Sequence, residues 1–184
     1  HPVREYLNHL DWDGTPRVRF ALHHFLGAEI SDLNEELLRL FMLGAVTRIF
    51  QPGYKFDMML CLTGRQGAGK SSFFRFLAGN DEWFSDDLRK LDDENVYRRM
   101  MGHWIIEMSE MMATGNAKNV EEIKSFLSRQ KDTCKVPYDN FPADRPRQCA
   151  FAGTSNKLDF LPHDRQQESA FPANPHQPGE GRGA

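Results

Sequence analysis

The glycine-rich segment at residues 64–71 constrains the fold of this chain more than any other feature. Its sequence, GRQGAGKS, fits the pattern G-x-x-x-x-G-K-[ST]. In such a loop, glycines let backbone N–H groups surround phosphates, and the helix that follows adds its positive N-terminal end. The apolar run at residues 58–63 precedes the segment, and residues 71–77 have helical character. The order strand, glycine loop, helix predicts a phosphate-binding loop (P-loop) in an α/β protein.

The residue types in this loop predict distinct roles. Lys70 would reach the β- and γ-phosphates of a nucleotide, and the Ser71 hydroxyl would hold Mg²⁺. ATP and Mg²⁺ are therefore the predicted cofactors. A chance match to the fixed positions is on the order of 1% in a chain of this length, which disfavours a plain glycine turn. The expected nucleotide-binding residues are Gly64, Arg65, Gln66, Gly67, Ala68, Gly69, Lys70, Ser71 and Ser72.

Two further apolar runs lead into polar residues that a P-loop enzyme needs. Glu107 lies in the run at residues 104–108, with Glu110 just beyond it, and the spacing does not separate a metal ligand from a catalytic base. An unused Glu in an apolar strand is costly, which disfavours exposed glutamates after a core strand. Asn156, after the run at residues 149–153, would contact the γ-phosphate or the attacking water; a turn asparagine is the alternative. The expected catalytic residues are Lys70, Glu107, Glu110 and Asn156, and the expected Mg²⁺ ligands are Ser71 and Glu107.

Helical and strand-like patterns alternate along the chain. Helical spacing of apolar residues occurs at 3–10, 18–26, 33–50 and 120–127. Together with three short apolar runs typical of buried parallel strands, these helices predict a parallel sheet with helices on both faces. The predicted domains are a helical lead-in (1–52), a P-loop ATPase core (53–161) and a polar tail expected to be disordered (162–184).

Composition narrows the classes of protein to consider. The net charge of −3 gives no global basic field, so any nucleic-acid contact must come from a local patch. Three cysteines without C-x-x-C spacing favour neither a disulfide framework nor a zinc site. No apolar run approaches the roughly 20 residues that span a bilayer, so we expect a cytoplasmic protein. Because His1 is not an initiator methionine, we also expect a piece of a longer chain.

Over residues 2–161 the chain resembles the virulence-associated E family, phage- and island-encoded ATPases related to superfamily 3 helicases of the AAA+ class. Its most specific stretches read LDWDG at 10–14, DEWFSD at 81–86 and FLSRQ at 126–130. The resemblance implies an AAA+ fold and a ring-forming helicase or primase-associated ATPase used in the replication of a mobile element such as a prophage. In such a homo-oligomeric ring, an arginine from the neighbouring subunit completes the ATP site.

The resemblance also implies a hairpin that grips single-stranded DNA, between the acidic strand and the strand before Asn156. Cations in this interval are interleaved with Tyr138 and Phe141, which suits a groove that tracks the backbone and stacks bases. The candidate DNA contacts are Lys124, Arg129, Lys131, Lys135, Arg145 and Arg147. Three aspartates lie in the same interval, so a solvated loop with packed aromatic residues stays open as the alternative.

The C-terminal tail departs from the pattern of the family. Members of the family carry an arginine pair followed by Phe or Trp and Pro, whereas Asp164 is followed here by RQQESAF. Permitted codons for residues 166–175, when read one base later, encode SRNRRFLPI and restore that pattern. We therefore interpret the tail as a frameshift product. The arginine finger and later ring-packing elements would then be lost, and nucleotide binding should survive better than hydrolysis.

Three functions are compatible with the sequence. The first is a DNA-linked ATPase, either a helicase motor or part of one. The second is a nucleotide-binding regulatory or interaction module without turnover, which the altered tail favours. The third is a P-loop nucleotide kinase, which would need an arginine-rich lid that the sequence does not convincingly supply.

Overall fold

The computed structural model of the chain describes residues 1–88, 91, 96–109, 117–134 and 143–156. The helices are α1 (Pro2–Asn8), α2 (Val18–Leu26), α3 (Asp32–Phe50), α4 (Lys70–Ala78), α5 (Val96–Met100) and α6 (Ala117–Leu127). The strands are β1 (Leu60–Thr63), β2 (Phe84–Ser85), β3 (Ile105–Glu107), β4 (Lys131–Cys134), β5 (Ala143–Pro146) and β6 (Ala150–Ser155). Glu110, Lys135, Tyr138, Phe141 and the predicted tail lie outside the described residues.

Four strands form a parallel sheet in the order β1, β6, β3, β2. Leu60 pairs with Ala152, and Ile105 pairs with Ala150, so β6 lies between the strand before the glycine loop and the strand that carries Glu107. All of these pairings are parallel, as the short apolar runs predict. β4 and β5 form a separate antiparallel pair.

Helices cover both faces of this sheet, as predicted. Side chains alternate along each strand because the strand period is two residues. Ile105 and Leu62 belong to one buried cluster, which also contains residues of α3 and α4. Ile106 and Phe151 belong to a second cluster, together with residues of α5 and α6. The chain therefore has an α/β architecture with a core on each side of the sheet.

The helices of the predicted lead-in share a core with the sheet. Val3, Leu22 and Phe41, one from each of α1 to α3, are buried in the same cluster as Leu62 of β1. The Trp104 indole Nε1 donates a hydrogen bond of 3.0 Å to the carbonyl oxygen of Ala45 in α3. The division between residues 1–52 and 53–161 stays a prediction, but the packing joins the two parts closely. Within the described residues, no helix has the length and apolar character needed to cross a membrane.

Arg48 ties α3 to the two chain segments that lead into β1 and β6. Its side chain is buried and donates hydrogen bonds to the carbonyl oxygens of Tyr54, Phe56 and Cys149 at 2.9–3.1 Å. Burial lowers the pKa of the guanidinium. Because buried carbonyl groups need donors, this one side chain fixes the start of both segments relative to the helix.

Candidate functional site

The glycine loop joins β1 to α4, and several of its glycines have positive φ angles. Gly67 and Gly69 have φ angles of 79° and 82°, which side chains strongly disfavour. Gly69 is the N-cap of α4, and no side chain caps the helix there. An uncapped helix start leaves N–H groups for an anion, and the helix dipole adds positive potential. The loop and helix together form a geometry suited to phosphate.

Lys70 lies under this loop with its charge among neutral acceptors. Its ammonium group donates to the carbonyl oxygens of Gly64 and Arg65, each at 2.9 Å, and to Oδ1 of Asn156 at 3.0 Å. Only 8% of the residue is exposed. Burial lowers the pKa of Lys70, and the carboxylate of Glu107 opposes this shift. Since the three bonded oxygens carry no net charge, the ammonium is left to attract an anion.

Glu107 is the acidic residue of the site and is 1% exposed. Its Oε1 atom accepts hydrogen bonds from Ser71 Oγ at 2.8 Å and from Thr154 Oγ1 at 2.5 Å. Its Oε2 atom is buried and has no hydrogen-bond partner within the described part of the chain. A buried carboxylate oxygen without a donor is unusual and calls for a cation, a water molecule or a ligand group.

The sheet topology explains why these side chains meet. The carboxyl ends of parallel strands lie at one edge, and ligands of open α/β sheets bind in the crevice outside that edge. Glu107 ends β3 on the same face as Ile105, which packs with α4, and it pairs with Ala152 of β6. Thr154 lies two residues farther along β6 on that face, next to the first turn of α4. The site therefore draws on three neighbouring strands and one helix start.

The structure brings together the loop and three of the four predicted catalytic residues. Lys70, Glu107 and Asn156 are linked to one another or to Ser71 by direct hydrogen bonds, whereas Glu110 lies outside the described residues. Sequence reasoning missed Thr154. Its signal was a polar residue in the interior of a buried strand, on the face that carries the acid of the neighbouring strand.

The donor set also fits the predicted Mg²⁺. Mg²⁺ prefers oxygen ligands, and proteins usually hold it through one or two carboxylates, with phosphates and water completing the shell. Ser71 Oγ is one such oxygen, and Glu107 Oε2, which has no hydrogen-bond partner among the described residues, is another. The two side chains are joined by the hydrogen bond from Ser71 Oγ to Glu107 Oε1. Within the described residues, the candidate site included, no three His, Cys, Asp or Glu side chains form a cluster suited to a metal ion, so phosphate and water oxygens would have to supply the other ligands.

An antiparallel hairpin follows α6, in the interval where the resemblance places a DNA-gripping element. Lys124 is paired with Glu121, and Lys131 is paired with Asp144, each on the exposed surface. Arg145 is exposed on β5. Arg129 is also exposed and lies over the Phe126 ring. These four cations are accessible to a nucleic acid, whereas Lys135 lies outside the described residues.

Arg147 is different from the other predicted DNA contacts because it is buried. Its guanidinium forms a bidentate ion pair with Asp132 at 2.6 and 2.8 Å and donates to the carbonyl oxygen of Phe126 at 2.6 Å. It also lies over the rings of Phe126 and Phe151, at 4.2 and 5.3 Å from their centroids. This corrects the interpretation from charge pattern alone: Arg147 anchors the hairpin and is not accessible to a DNA strand in this structure.

Comparison with known proteins identifies one family and one group of similar folds. The model of the virulence-associated protein E-like domain matches residues 7–172. No curated protein matches the chain. Two structures of the NrS-1 C-terminal region in its A-form apo state align with TM-scores of 0.51 and 0.52, at 16% and 17% identity. The alignments cover 78% and 77% of this chain but 33% and 32% of those chains, so the chain spans about a third of their length. At this identity the likeness supports the fold alone.

Proposed function

The chain belongs to the virulence-associated protein E-like domain family, and we propose that it binds and hydrolyses ATP to drive DNA work in the replication of a mobile element. One observation carries the proposal: Lys70, Ser71, Glu107 and Asn156 converge at the carboxyl edge of a parallel sheet, beneath a glycine loop. This combination of cation, hydroxyl, acid and amide provides the groups that phosphoryl transfer to water requires.

The loop and Lys70 would bind the triphosphate. The N–H groups at the start of α4 suit the phosphate oxygens, and the Lys70 ammonium exchanges a neutral acceptor for a phosphate oxygen. The donor is charged in both cases, but a phosphate oxygen also carries negative charge. The exchange therefore adds Coulombic attraction between opposite charges and favours the bound nucleotide.

Ser71 and Glu107 would hold the metal that accompanies ATP. A bound Mg²⁺ would neutralise phosphate charge and polarise the transferring group. Ser71 donates its hydroxyl hydrogen to Glu107 and keeps its lone pairs for the cation. Asn156 accepts a hydrogen bond from Lys70, so its amide would lie close to a γ-phosphate bound by that lysine. That position suits an amide that orients the phosphate or the attacking water.

Single-stranded DNA is the proposed partner, and the exposed cations of the hairpin region are its proposed contacts. Lys131 and Arg145 lie on paired strands, with Lys124 and Arg129 on or just after the preceding helix. Backbone phosphates favour such a local group of cations even when the net charge of the protein is negative. A homo-oligomeric ring, with an arginine supplied by the neighbouring subunit, is part of the same proposal.

Measured ATP turnover with and without single-stranded DNA tests the proposed function. We expect turnover in the parent protein, stimulation by DNA, and loss of at least about tenfold in ATP affinity for Lys70→Ala, since a bond to a charged group contributes ~1.5–3 kcal/mol. Lys55→Ala is the matched control, because Lys55 is an exposed lysine paired with Asp57. Tight ATP binding without turnover would instead support a regulatory module. Phosphate transfer to a nucleotide acceptor would support a kinase.

A further inference from the structure

Thr154 contacts Glu107, the acidic residue of the site, from the neighbouring strand β6. It lies in β6, is 6% exposed, and donates its hydroxyl hydrogen to Glu107 Oε1 at 2.5 Å. Ser71 donates to the same oxygen from the start of α4. Two donors on one carboxylate oxygen fix the rotation of the carboxylate, because turning it would break both hydrogen bonds.

The consequence of this arrangement lies at the other carboxylate oxygen. Glu107 Oε2 is buried and lacks a partner among the described residues. When one carboxylate oxygen accepts two hydrogen bonds and the other accepts none, the same oxygen is always the one available to a metal ion. A carboxylate that could rotate would offer either oxygen in turn. Ser71 can keep its hydrogen bond while its lone pairs face a cation, so the arrangement is compatible with a bound metal.

We propose that Thr154 is a positioning residue that holds Glu107 so that Oε2 faces the coordination shell of the Mg²⁺ bound with ATP. The inference rests on the proposed function and concerns how its metal ligand is oriented. Partners that orient metal ligands typically contribute 10–100-fold to metal affinity. Thr154 therefore matters for Mg²⁺ and not for the triphosphate itself, which the loop and Lys70 bind.

Equilibrium binding of a fluorescent ATP analogue, with Mg²⁺ and with EDTA, tests this role without requiring turnover. For Thr154→Val, we expect the affinity gained on adding Mg²⁺ to fall by about tenfold or more, with the EDTA affinity within about twofold of the parent. Thr154→Ser retains the hydroxyl and should restore the gain. Thr154→Ala should behave like Thr154→Val, and it removes the hydroxyl without placing a methyl group against Glu107.

Combining the substitutions shows whether Thr154 acts through Glu107. In a Glu107→Gln background, Thr154→Val should produce little further loss of the Mg²⁺-dependent gain. The inference is overturned if Thr154→Val and Thr154→Ala keep the full gain in ATP affinity on adding Mg²⁺. It is also overturned if both variants lose as much affinity in EDTA as they lose in Mg²⁺. An equal loss in Thr154→Ser would also overturn it. Absence of ATP binding by the parent protein would contradict the proposed function itself, which separates the two failures.

Discussion

Glu107 shows how a single buried charge can be held ready for a ligand. Its carboxylate is almost fully buried, yet its two described donors are neutral hydroxyl groups. Burying a carboxylate without a hydrogen-bonded cation is costly, because the charge loses its hydration. The Lys70 ammonium attracts Glu107 but donates its described hydrogen bonds to neutral oxygens. Buried charges of this kind occur mainly at functional sites, and we expect Oε2, which has no hydrogen-bond partner among the described residues, to be the atom that binds a ligand.

Replacing Glu107 by Gln removes the charge and keeps the shape. The amide oxygen can still accept from Ser71 and Thr154, so the fold should persist. We expect turnover to fall by about 100-fold or more, the usual range for loss of a group that assists proton transfer or orients the metal. ATP affinity in EDTA should change little. Steady-state ATPase assays and equilibrium binding would measure the two effects.

The matched control for Glu107 is Glu36→Gln. Glu36 is an exposed glutamate of α3 that pairs with Arg39, and this variant should retain parental turnover. A Glu107→Gln protein that hydrolyses ATP at nearly the parental rate would show that the carboxylate has no role in turnover.

The hairpin formed by β4 and β5 carries one buried ion pair and one exposed ion pair. Asp132 of β4 pairs with Arg147, the residue after β5, and their side chains are 10% and 1% exposed. Lys131 of β4 pairs with Asp144 of β5, and both side chains are exposed. Because the surroundings of the two ion pairs differ, their contributions to the free energy of unfolding should differ as well.

Removing one carboxylate from each pair measures that difference. Asp132→Ala leaves a buried guanidinium without its counter-charge and should lower the free energy of unfolding by about 3–5 kcal/mol. Asp144→Ala, its matched control on the same hairpin, should cost less than about 1 kcal/mol because water replaces the lost partner. Urea denaturation followed by circular dichroism would compare the two. Equal losses would mean that the Arg147 pair does not anchor the hairpin.

The elements themselves could be predicted from local patterns, because hydrophobic periodicity and the glycine loop act over short stretches. The structure has helices and strands close to where the sequence predicts them, as in α2, α3, α6, β1, β3 and β6. The position of β6 between β1 and β3 could not be predicted from local patterns, because strand pairing depends on contacts between residues distant in the sequence. For the same reason, the sequence did not single out Thr154, because its contact with Glu107 depends on the pairing of two distant strands. It also could not show that Arg147, predicted to contact DNA, is buried against Asp132.

One of the two cores, on the α4 side of the sheet, joins the N-terminal helices to the rest of the molecule. Helices α1, α2 and α3 contribute to the cluster that contains the buried residues of β1 and α4. Hydrogen bonds from Arg48 to the Cys149 carbonyl oxygen and from the Trp104 indole to the Ala45 carbonyl oxygen further link α3 to the sheet. Residues 1–52 therefore form part of the packing that supports the candidate site.

A chain beginning at Gly53 would test how far the predicted domains are independent. Loss of α1 to α3 exposes to water the apolar surface of the sheet and of α4 that these helices cover, which costs about 25 cal/mol per Å². We expect no cooperative unfolding transition and no measurable ATP binding. Trp12→Ala is the control, because it changes an exposed side chain of the removed region and should leave unfolding unaltered. Cooperative unfolding of the shortened chain would establish two independent units.

The central position of β6 has a consequence for how the protein is made. Among the described strands, β1 pairs only with β6, and about 90 residues separate β1 from β6 along the sequence. At 5–20 residues per second, a ribosome would leave β1 unpaired for roughly 5–20 s. During that interval the apolar strand is open to chaperones or to other nascent chains. If the chain binds ATP as proposed, ATP should begin to stabilise it only after β6 emerges, because the β1 strand that leads into the loop has no described strand to pair with before then.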